Sequence, residues 1–139
     1  MGYDGSPDAD AAVRWAVTQA HLTGARLDVV HSYDFPFLER LDHATQQLVR
    51  DNAVAIAREG ARIAGELQPD VTIAAVVEVG SPTHALLEAA AAADLLVVGA
   101  RGENHAHHAI LGSVATKCAH RAPCSVVVIR RTGAEPDPS

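Results

Sequence analysis

Three glycines and a serine give this chain the residue types and spacing that bind phosphate. Gly99 and Gly102 follow the short apolar run 95–98, and after nine intervening residues Gly112 and Ser113 open a segment predicted to be helical. Glycine permits positive φ and lets backbone N–H groups approach an anion closely. A helix start adds free N–H donors and a partial positive charge, and the Ser113 hydroxyl can cap the helix or donate to a phosphate oxygen. The spacing therefore predicts a phosphate-binding loop between a strand and a helix.

Residues suited to catalysis are harder to find. The loop departs from the pattern G-x-x-x-x-G-K-[ST], because no lysine stands at the helix entrance. The chain has no serine within G-x-S-x-G and no cysteine beside an evident base. Phosphoryl transfer also needs charge clamps and a positioned water or acceptor, and the sequence offers no dedicated pair of catalytic carboxylates. We therefore expect a binding protein rather than an efficient enzyme.

Charge and composition narrow the classes of partner. The chain of 139 residues carries a formal net charge of −6, and aromatic residues make up only 4%. Proteins that bind nucleic acid cluster Lys and Arg or stack bases on aromatic rings, so we expect no nucleic acid. No apolar run reaches the roughly 20 residues that span a bilayer, and Cys118 and Cys124 make no disulfide framework. We expect a single cytoplasmic domain over residues 1–131 that does not bind membranes, followed by a flexible tail over 132–139.

Hydrophobic patterning predicts helices and strands in strict alternation. The first helix has Ser6 as its cap and stops at Gly24, and the later elements are strand 26–31, helix 41–67, strand 71–79, helix 85–93, strand 95–98, helix 114–121 and strand 125–129. Before helix 85–93, Ser81 and Pro82 are predicted as the cap and the first helical position. Gly60 and Gly65 are expected to weaken the last turns of the long helix. Such alternation indicates an α/β fold with a mostly parallel sheet and helices on both faces. Ligands of these folds bind at the carboxyl ends of strands, where segment 99–112 and the pair His31-Ser32 lie.

Several separated motifs together resemble the universal stress protein family, over essentially the whole chain from Gly2 to Arg130. The motifs are Gly99-x-x-Gly102 with Gly112-Ser113, the turn Asp4-Gly5-Ser6 before a helix containing Arg14-Trp15-Ala16, the strand end Val30-His31, and Ala122-Pro123-Cys124 before the last strand. The resemblance implies a Rossmann-like or flavodoxin-like three-layer sandwich with a parallel sheet of strand order 3-2-1-4-5. It also implies a stress-response regulator that binds ATP, AMP, ADP or a related adenine nucleotide, and a homodimer formed through the last strand, Ser125 to Ile129.

The resemblance also implies roles for particular residues. Asp4 would touch the adenosine part with Tyr3 and Gly2 beside it, and the backbone of Ser32 would meet adenine. The residues implied around ribose and phosphates are Val98, Gly99, Gly102, Gly112, Ser113 and Val114, with Ala115 just beyond. Asp4 could help to hold Mg²⁺. The only catalytic activity we expect, if any, is slow hydrolysis of bound ATP. Asp4 is alternatively an ordinary turn residue. Arg101 either reaches phosphate with two parallel hydrogen bonds or is a surface arginine.

The start of the chain departs from the family pattern. Relatives begin with an apolar strand before Asp-Gly-Ser, and it is the central strand of their sheet, whereas here only Met1, Gly2 and Tyr3 precede Asp4. A missing central strand would leave backbone groups of two neighbours unpaired, at about 1–3 kcal/mol for each buried group. We expect a natural start a few residues upstream; the alternatives are a strand donated by a partner chain and a sheet closed up by rearrangement.

The proposed phosphate loop is also unusual. It carries Glu103, which disfavours a nearby anion, and the histidines His105, His107 and His108. These histidines could contact phosphate when protonated or bind a metal, but without a companion cysteine they do not match a closed zinc site. We favour a solvated loop and assign no metal. The loop and the short first strand leave a second function open, a dimeric interaction scaffold of the same fold that binds no nucleotide. A small hydrolase acting on nucleotides is a weaker third.

Overall fold

Helices and strands alternate along the chain as predicted. The computed structural model describes residues 1–102 and 111–131. Within them the elements are α1 (Pro7–Thr23), β1 (Leu27–Tyr33), a 3₁₀ helix (Leu38–Arg40), α2 (His43–Leu67), β2 (Ile73–Val79), α3 (Pro82–Ala90), β3 (Leu95–Gly99), α4 (Ser113–Arg121) and β4 (Ser125–Ile129). The predicted start of α3 is confirmed: Ser81 caps it, its Oγ accepting a hydrogen bond from the His84 N–H at 3.2 Å, and Pro82 is its first residue. The helix ends at Ala90, three residues before the predicted end.

The parallel sheet has two halves that meet at the first residues of the chain. β1 pairs with β2, and β3 pairs with β4. Between them, the Gly2 N–H donates to the Val97 carbonyl at 3.0 Å, and the Tyr3 N–H donates to the Val30 carbonyl at 2.8 Å. With Met1–Tyr3 counted as the first strand, the order is the predicted 3-2-1-4-5. Rearrangement has not closed the sheet, because β1 and β3 each contact the short segment rather than one another.

Helices cover both faces of this sheet. α1 and α2 pack on one face over a core that includes Val13, Val17 and Val29, all of them fully buried. α3 and α4 pack on the other face around Leu86 and Cys118. This three-layer arrangement is the predicted α/β sandwich, and it leaves the carboxyl ends of the strands free of helix cover.

Gly60 lies where the long helix α2 comes closest to the centre of the sheet. A Cβ built on Gly60 would lie 2.8 Å from Cγ of Tyr3 and 2.9 Å from Cγ1 of Val29, whereas one on Gly65 would meet nothing nearer than Ile73 Cδ1 at 3.9 Å. The helix runs without interruption through both glycines. Gly60 is therefore a close-packing residue, which its helix propensity did not indicate.

Substitution of these two glycines by alanine should have opposite effects. Alanine gains about 1 kcal/mol over glycine within a helix, so we expect Gly65→Ala to raise the free energy of unfolding. In Gly60→Ala the overpacking against Tyr3 costs about 1–3 kcal/mol, which outweighs that gain and destabilises the protein. Urea unfolding of the two variants measures the difference. Equal stabilisation by both would show that α2 does not pack tightly on Tyr3.

Candidate functional site

A cleft opens at the carboxyl ends of β1, β3 and the short segment Met1–Tyr3. It has a volume of about 250 Å³. All ten site residues expected from the sequence line it: Tyr3, Asp4, Ser32, Val98, Gly99, Arg101, Gly102, Gly112, Ser113 and Val114. They meet because the strand order reverses at the short segment, with β1 on one side and β3 on the other, and such a switch point leaves a crevice between strand ends.

The floor of the cleft is apolar. Val30, Leu86, Val98 and Ala115 line it and are each almost fully buried in the core on the α3 and α4 face. An apolar surface of this kind suits a flat ring, and the polar groups at the rim can fix its orientation. Leu86 was not singled out in the sequence, because a leucine within a helix gives no signal beyond core packing.

The cleft requires glycine at these positions because neighbouring atoms come close to them, not because the backbone adopts unusual angles. The described glycines with positive φ are Gly5, Gly24 and Gly80, so Gly99, Gly102 and Gly112 do not use the positive φ that glycine permits. A Cβ on Gly99 would lie 2.9 Å from the carbonyl carbon of Asp8. On Gly102 it would lie 3.0 Å from Oδ2 of Asp4, and on Gly112 3.2 Å from the Ala100 carbonyl oxygen. At these three positions only a hydrogen atom fits without crowding the neighbouring atoms.

The start of α4 faces this space. Gly112 is the cap residue, with an ordinary φ of −74°, and none of the described side chains caps this end. Ser113 is the first helical residue, so the prediction that its hydroxyl caps the helix is wrong. The residues that carry the first N–H groups of α4, from Ser113 to Ala115, line the cleft. A helix N-terminus of this kind attracts anions through those N–H groups and the helix dipole.

Asp4 is a turn residue that also borders the cleft. Its Oδ1 accepts a hydrogen bond from the Ser6 N–H at 2.9 Å, the local bond by which aspartate stabilises turns. Its Oδ2 points to the side of Gly102. The turn role is therefore confirmed, while a role in ligand binding stays a prediction.

Asp8 is a site residue that the sequence did not reveal. It is buried, with 4% of its surface exposed. Its carboxylate accepts hydrogen bonds from the Arg101 N–H at 3.1 Å, from Arg101 Nε at 3.3 Å and from the Arg131 N–H at 3.0 Å. An acidic residue in the first turn of a helix usually serves the helix dipole, so nothing local indicated bonds to the residues that follow β3 and β4.

Arg101 is neither a free surface arginine nor a cation available in full to a phosphate. Its side chain is 28% exposed and forms an ion pair with Asp8, although it also lines the cleft. The carboxylate of Asp8 offsets much of the positive charge that Arg101 would bring. Among the described residues, backbone N–H groups are therefore the main donors that the cleft offers to an anion.

The side chain of Tyr3 points away from the cleft. Its ring packs against Gly60 of α2, and its hydroxyl donates to Asp10 Oδ1 at 2.7 Å. Burial, with a smaller effect of the bond to Asp10, raises the pKa of Tyr3 far above its usual value. The Tyr3 carbonyl accepts a hydrogen bond from His31 Nδ1 at 2.8 Å. Since a carbonyl cannot donate, Nδ1 of His31 carries the proton, which fixes the tautomer of this cleft residue.

The histidine-rich part of the loop lies outside the described residues. The interpretations of Glu103, His105, His107 and His108 therefore stay predictions. Within residues 1–102 and 111–131, no cluster of His, Cys, Asp or Glu has the arrangement of a metal site. No helix in these same ranges has both the length and the apolar character required to cross a bilayer.

Removing the charge of Asp8 should loosen the loop at the cleft. Asp8→Asn replaces an acceptor of three hydrogen bonds by an amide with one acceptor oxygen, so we expect a loss of about 1–3 kcal/mol in the free energy of unfolding. We also expect faster hydrogen exchange at the Arg101 and Arg131 amides. The matched control is Asp51→Asn on the exposed face of α2, which contacts Gln47 and should change stability by less than about 0.5 kcal/mol. Unchanged exchange at both arginine amides would contradict the role given to Asp8.

Comparisons with known proteins agree with the fold. Residues 1–130 match the model of the universal stress protein family. A universal stress protein of Thermus aquaticus is 35% identical over 144 residues, which cover 94% of this chain and 96% of that protein. One of Mycobacterium tuberculosis is 32% identical over 134 residues, 95% of this chain and 45% of that protein. The chain thus spans slightly under half the length of the mycobacterial relatives it matches.

A solved structure extends the likeness to three dimensions. The crystal structure of a universal stress protein in complex with cAMP is 31% identical to this chain, and the match covers 94% of this chain and 93% of that one. The two superpose with a TM-score of 0.71. The family model, the relatives and this structure agree along almost the full length of the chain, which belongs to the universal stress protein family.

Proposed function

We propose that this protein binds ATP or another adenine nucleotide in the cleft and acts in the stress response as a nucleotide-dependent regulator. The observation that carries the proposal is the meeting of three features in one place: closely approached glycines, an α4 N-terminus that none of the described side chains caps, and an apolar floor. A relative in the same family is in complex with cAMP, an adenine nucleotide, which supports the same ligand class here.

The residues of the cleft fit the parts of such a nucleotide. The adenine ring would lie on the apolar floor with the backbone of Ser32 at its edge. The ribose would lie near Asp4 and Gly99. The phosphates would lie against Gly102 and the start of α4, where a Cβ on Gly102 or Gly112 would fill the space. This arrangement places the negative part of the ligand on N–H donors and its flat part on hydrocarbon.

The cleft offers binding groups rather than catalytic ones. Asp4 is the only carboxylate among the described residues that line it, and it could help to hold Mg²⁺ beside the phosphates. Efficient transfer also needs a clamp of positive charge, and Arg101 is already paired with Asp8. We therefore propose a protein whose bound state carries the signal, with slow hydrolysis at most.

The regulatory output would come from the loop and the sheet edge. Nucleotide binding would favour one arrangement of segment 99–112, because a ligand shifts an equilibrium toward the state it binds more tightly. The loop starts at the end of β3, which pairs with β4. β4 ends the strand order and is half-buried over most of its length, so we propose it as the edge through which two copies form a homodimer.

One observation favours the second candidate function, an interaction scaffold without nucleotide. Asp8 accepts hydrogen bonds from Arg101, the one arginine or lysine among the described lining residues. With that charge offset, the described residues offer a phosphate mainly N–H groups, and its affinity could be lost without loss of the fold. Binding measurements separate the two candidates.

Calorimetric titration with Mg-ATP should show weaker binding when an added side chain fills part of the cleft, as in the variant Gly112→Val. Gly112→Val puts three carbon atoms beside the Ala100 carbonyl and the start of α4, so we expect an increase in Kd of about 100-fold or more, equivalent to roughly 2.7 kcal/mol. The φ of Gly112 is ordinary, so the variant should keep its fold, as circular dichroism would verify.

The matched control is Gly65→Val on α2, far from the cleft, which should leave the Kd unchanged. Titrations with AMP and GTP test whether adenine and phosphate number matter. Unchanged ATP affinity in a folded Gly112→Val variant would contradict the proposed phosphate position. A wild-type protein that binds no adenine nucleotide would favour the scaffold.

A further inference from the structure

Asp8 affects the charge of the cleft from behind the cleft wall. Its neighbours Ser6 and Ala9 line the cleft, whereas Asp8 is outside the described lining. Arg101 does line it, and Oδ2 of Asp8 is 3.3 Å from Nε of Arg101. The positive charge that an incoming anion meets at Arg101 therefore depends on a buried carboxylate that the anion does not touch.

The Asp8 carboxylate is held in place through both of its oxygens. Oδ1 accepts a hydrogen bond from the Arg131 N–H at 3.0 Å, and Oδ2 accepts one from the Arg101 N–H at 3.1 Å. Only 4% of the residue is exposed. Because each oxygen already has a backbone partner, the carboxylate has little freedom to turn away from the Arg101 side chain.

The backbone beneath the Arg101 side chain is equally constrained. The Ala100 carbonyl accepts a hydrogen bond from the Gly112 N–H at 2.6 Å, and the Arg101 carbonyl accepts one from the Ser6 hydroxyl at 3.4 Å. The base of the side chain therefore stays beside Asp8. A phosphate group can recruit the guanidinium group only in competition with a carboxylate that is already within bonding distance.

The other charged groups of the described cleft do not compensate for this pairing. Asp4 lines the cleft, and its Oδ2 would lie 3.0 Å from a Cβ on Gly102, on the side where we place the phosphates. The start of α4 supplies about half a positive charge. These groups suit one phosphate at the helix start, but a longer phosphate chain brings further negative charges near Asp4, and like charges repel.

We propose that Asp8 is a specificity-determining residue that acts through Arg101 and limits the cleft to nucleotides with a single phosphate group. The inference rests on the proposed function and narrows its ligand class to nucleoside monophosphates. Triphosphates still fit the cleft but bind more weakly, because the cation that would balance their additional charge is engaged by Asp8.

Calorimetric titration of the wild-type protein with adenosine, AMP and ATP tests the ligand class. The buffer contains EDTA and no divalent metal, so that the three ligands differ only in their phosphates. We expect AMP to bind about tenfold or more tightly than adenosine, because its phosphate gains the N–H groups of α4. We expect ATP to bind about tenfold or more weakly than AMP.

Two wild-type outcomes separate this inference from the proposed function. ATP that binds as tightly as AMP, or more tightly, would overturn the monophosphate preference and leave the proposed function standing. An absence of binding by all three ligands would contradict the proposed function, and this inference with it. Neither outcome requires a variant to fold.

Two variants test whether Asp8 causes the preference. Asp8→Asn removes the carboxylate charge that offsets Arg101, so we expect the Kd of ATP to fall about tenfold or more and that of AMP to fall less. The double variant Asp8→Asn with Arg101→Gln removes both charges, so the ratio of the two Kd values should return to that of the wild type. Circular dichroism verifies the fold of each variant.

The matched control is Asp51→Asn on the exposed face of α2, where Asp51 contacts Gln47. It changes the net charge by the same amount and should leave the ratio of the two Kd values unchanged. An unchanged ratio in folded Asp8→Asn would overturn the role of Asp8. An altered ratio that persists in the double variant would show a structural effect in place of an electrostatic one, and an equal shift in Asp51→Asn would show a general effect of net charge.

Discussion

The hydrogen bonds of Met1–Tyr3 join the two halves of the sheet, and the cleft depends on them. In the part of the chain that the structure describes, β1 with β2 and β3 with β4 form separate pairs that meet through this segment. Its two faces are closely packed: the ring of Tyr3 lies against Gly60 of α2, and a Cβ on Gly2 would lie 2.7 Å from Leu86 of α3. The segment leads directly into Asp4, so its position sets that residue at the cleft.

The electrostatics of the cleft follow from a buried carboxylate rather than from a surplus of cations. Asp8 holds the backbone of Arg101 and Arg131 and pairs with the Arg101 side chain. These bonds hold Arg101 and Arg131 beside α1, and the positive charge of the Arg101 side chain is largely offset. A phosphate group in the cleft would be stabilised by the N–H groups at the start of α4 and by the helix dipole. Such a site is compatible with a chain whose net charge is −6, since it needs no basic patch.

Local sequence signals predicted most of the fold. Ser6, Ser81 and Gly24 mark helix ends through short-range bonds and backbone geometry, and the branched apolar runs predict the strands. The glycine loop and the order of the elements located the cleft, and all ten expected residues line it.

What the sequence did not reveal depends on contacts between distant positions. Asp8 and Arg101 are 93 residues apart, and the packing of Tyr3 on Gly60 joins the first strand to the middle of α2. The two roles proposed for Ser113 also needed coordinates, because the choice of cap residue depends on backbone angles at Gly112.

The most direct test of the account is to titrate ¹⁵N-labelled protein with ATP and follow each backbone amide by NMR. The account predicts that shifts concentrate at Asp4, Ser32, the Gly99–Gly102 turn and the start of α4, with little change on the outer face of α2. Shifts at these amides would place the nucleotide in the cleft. An unchanged spectrum at saturating ATP, or shifts confined to another surface, would contradict the central claim.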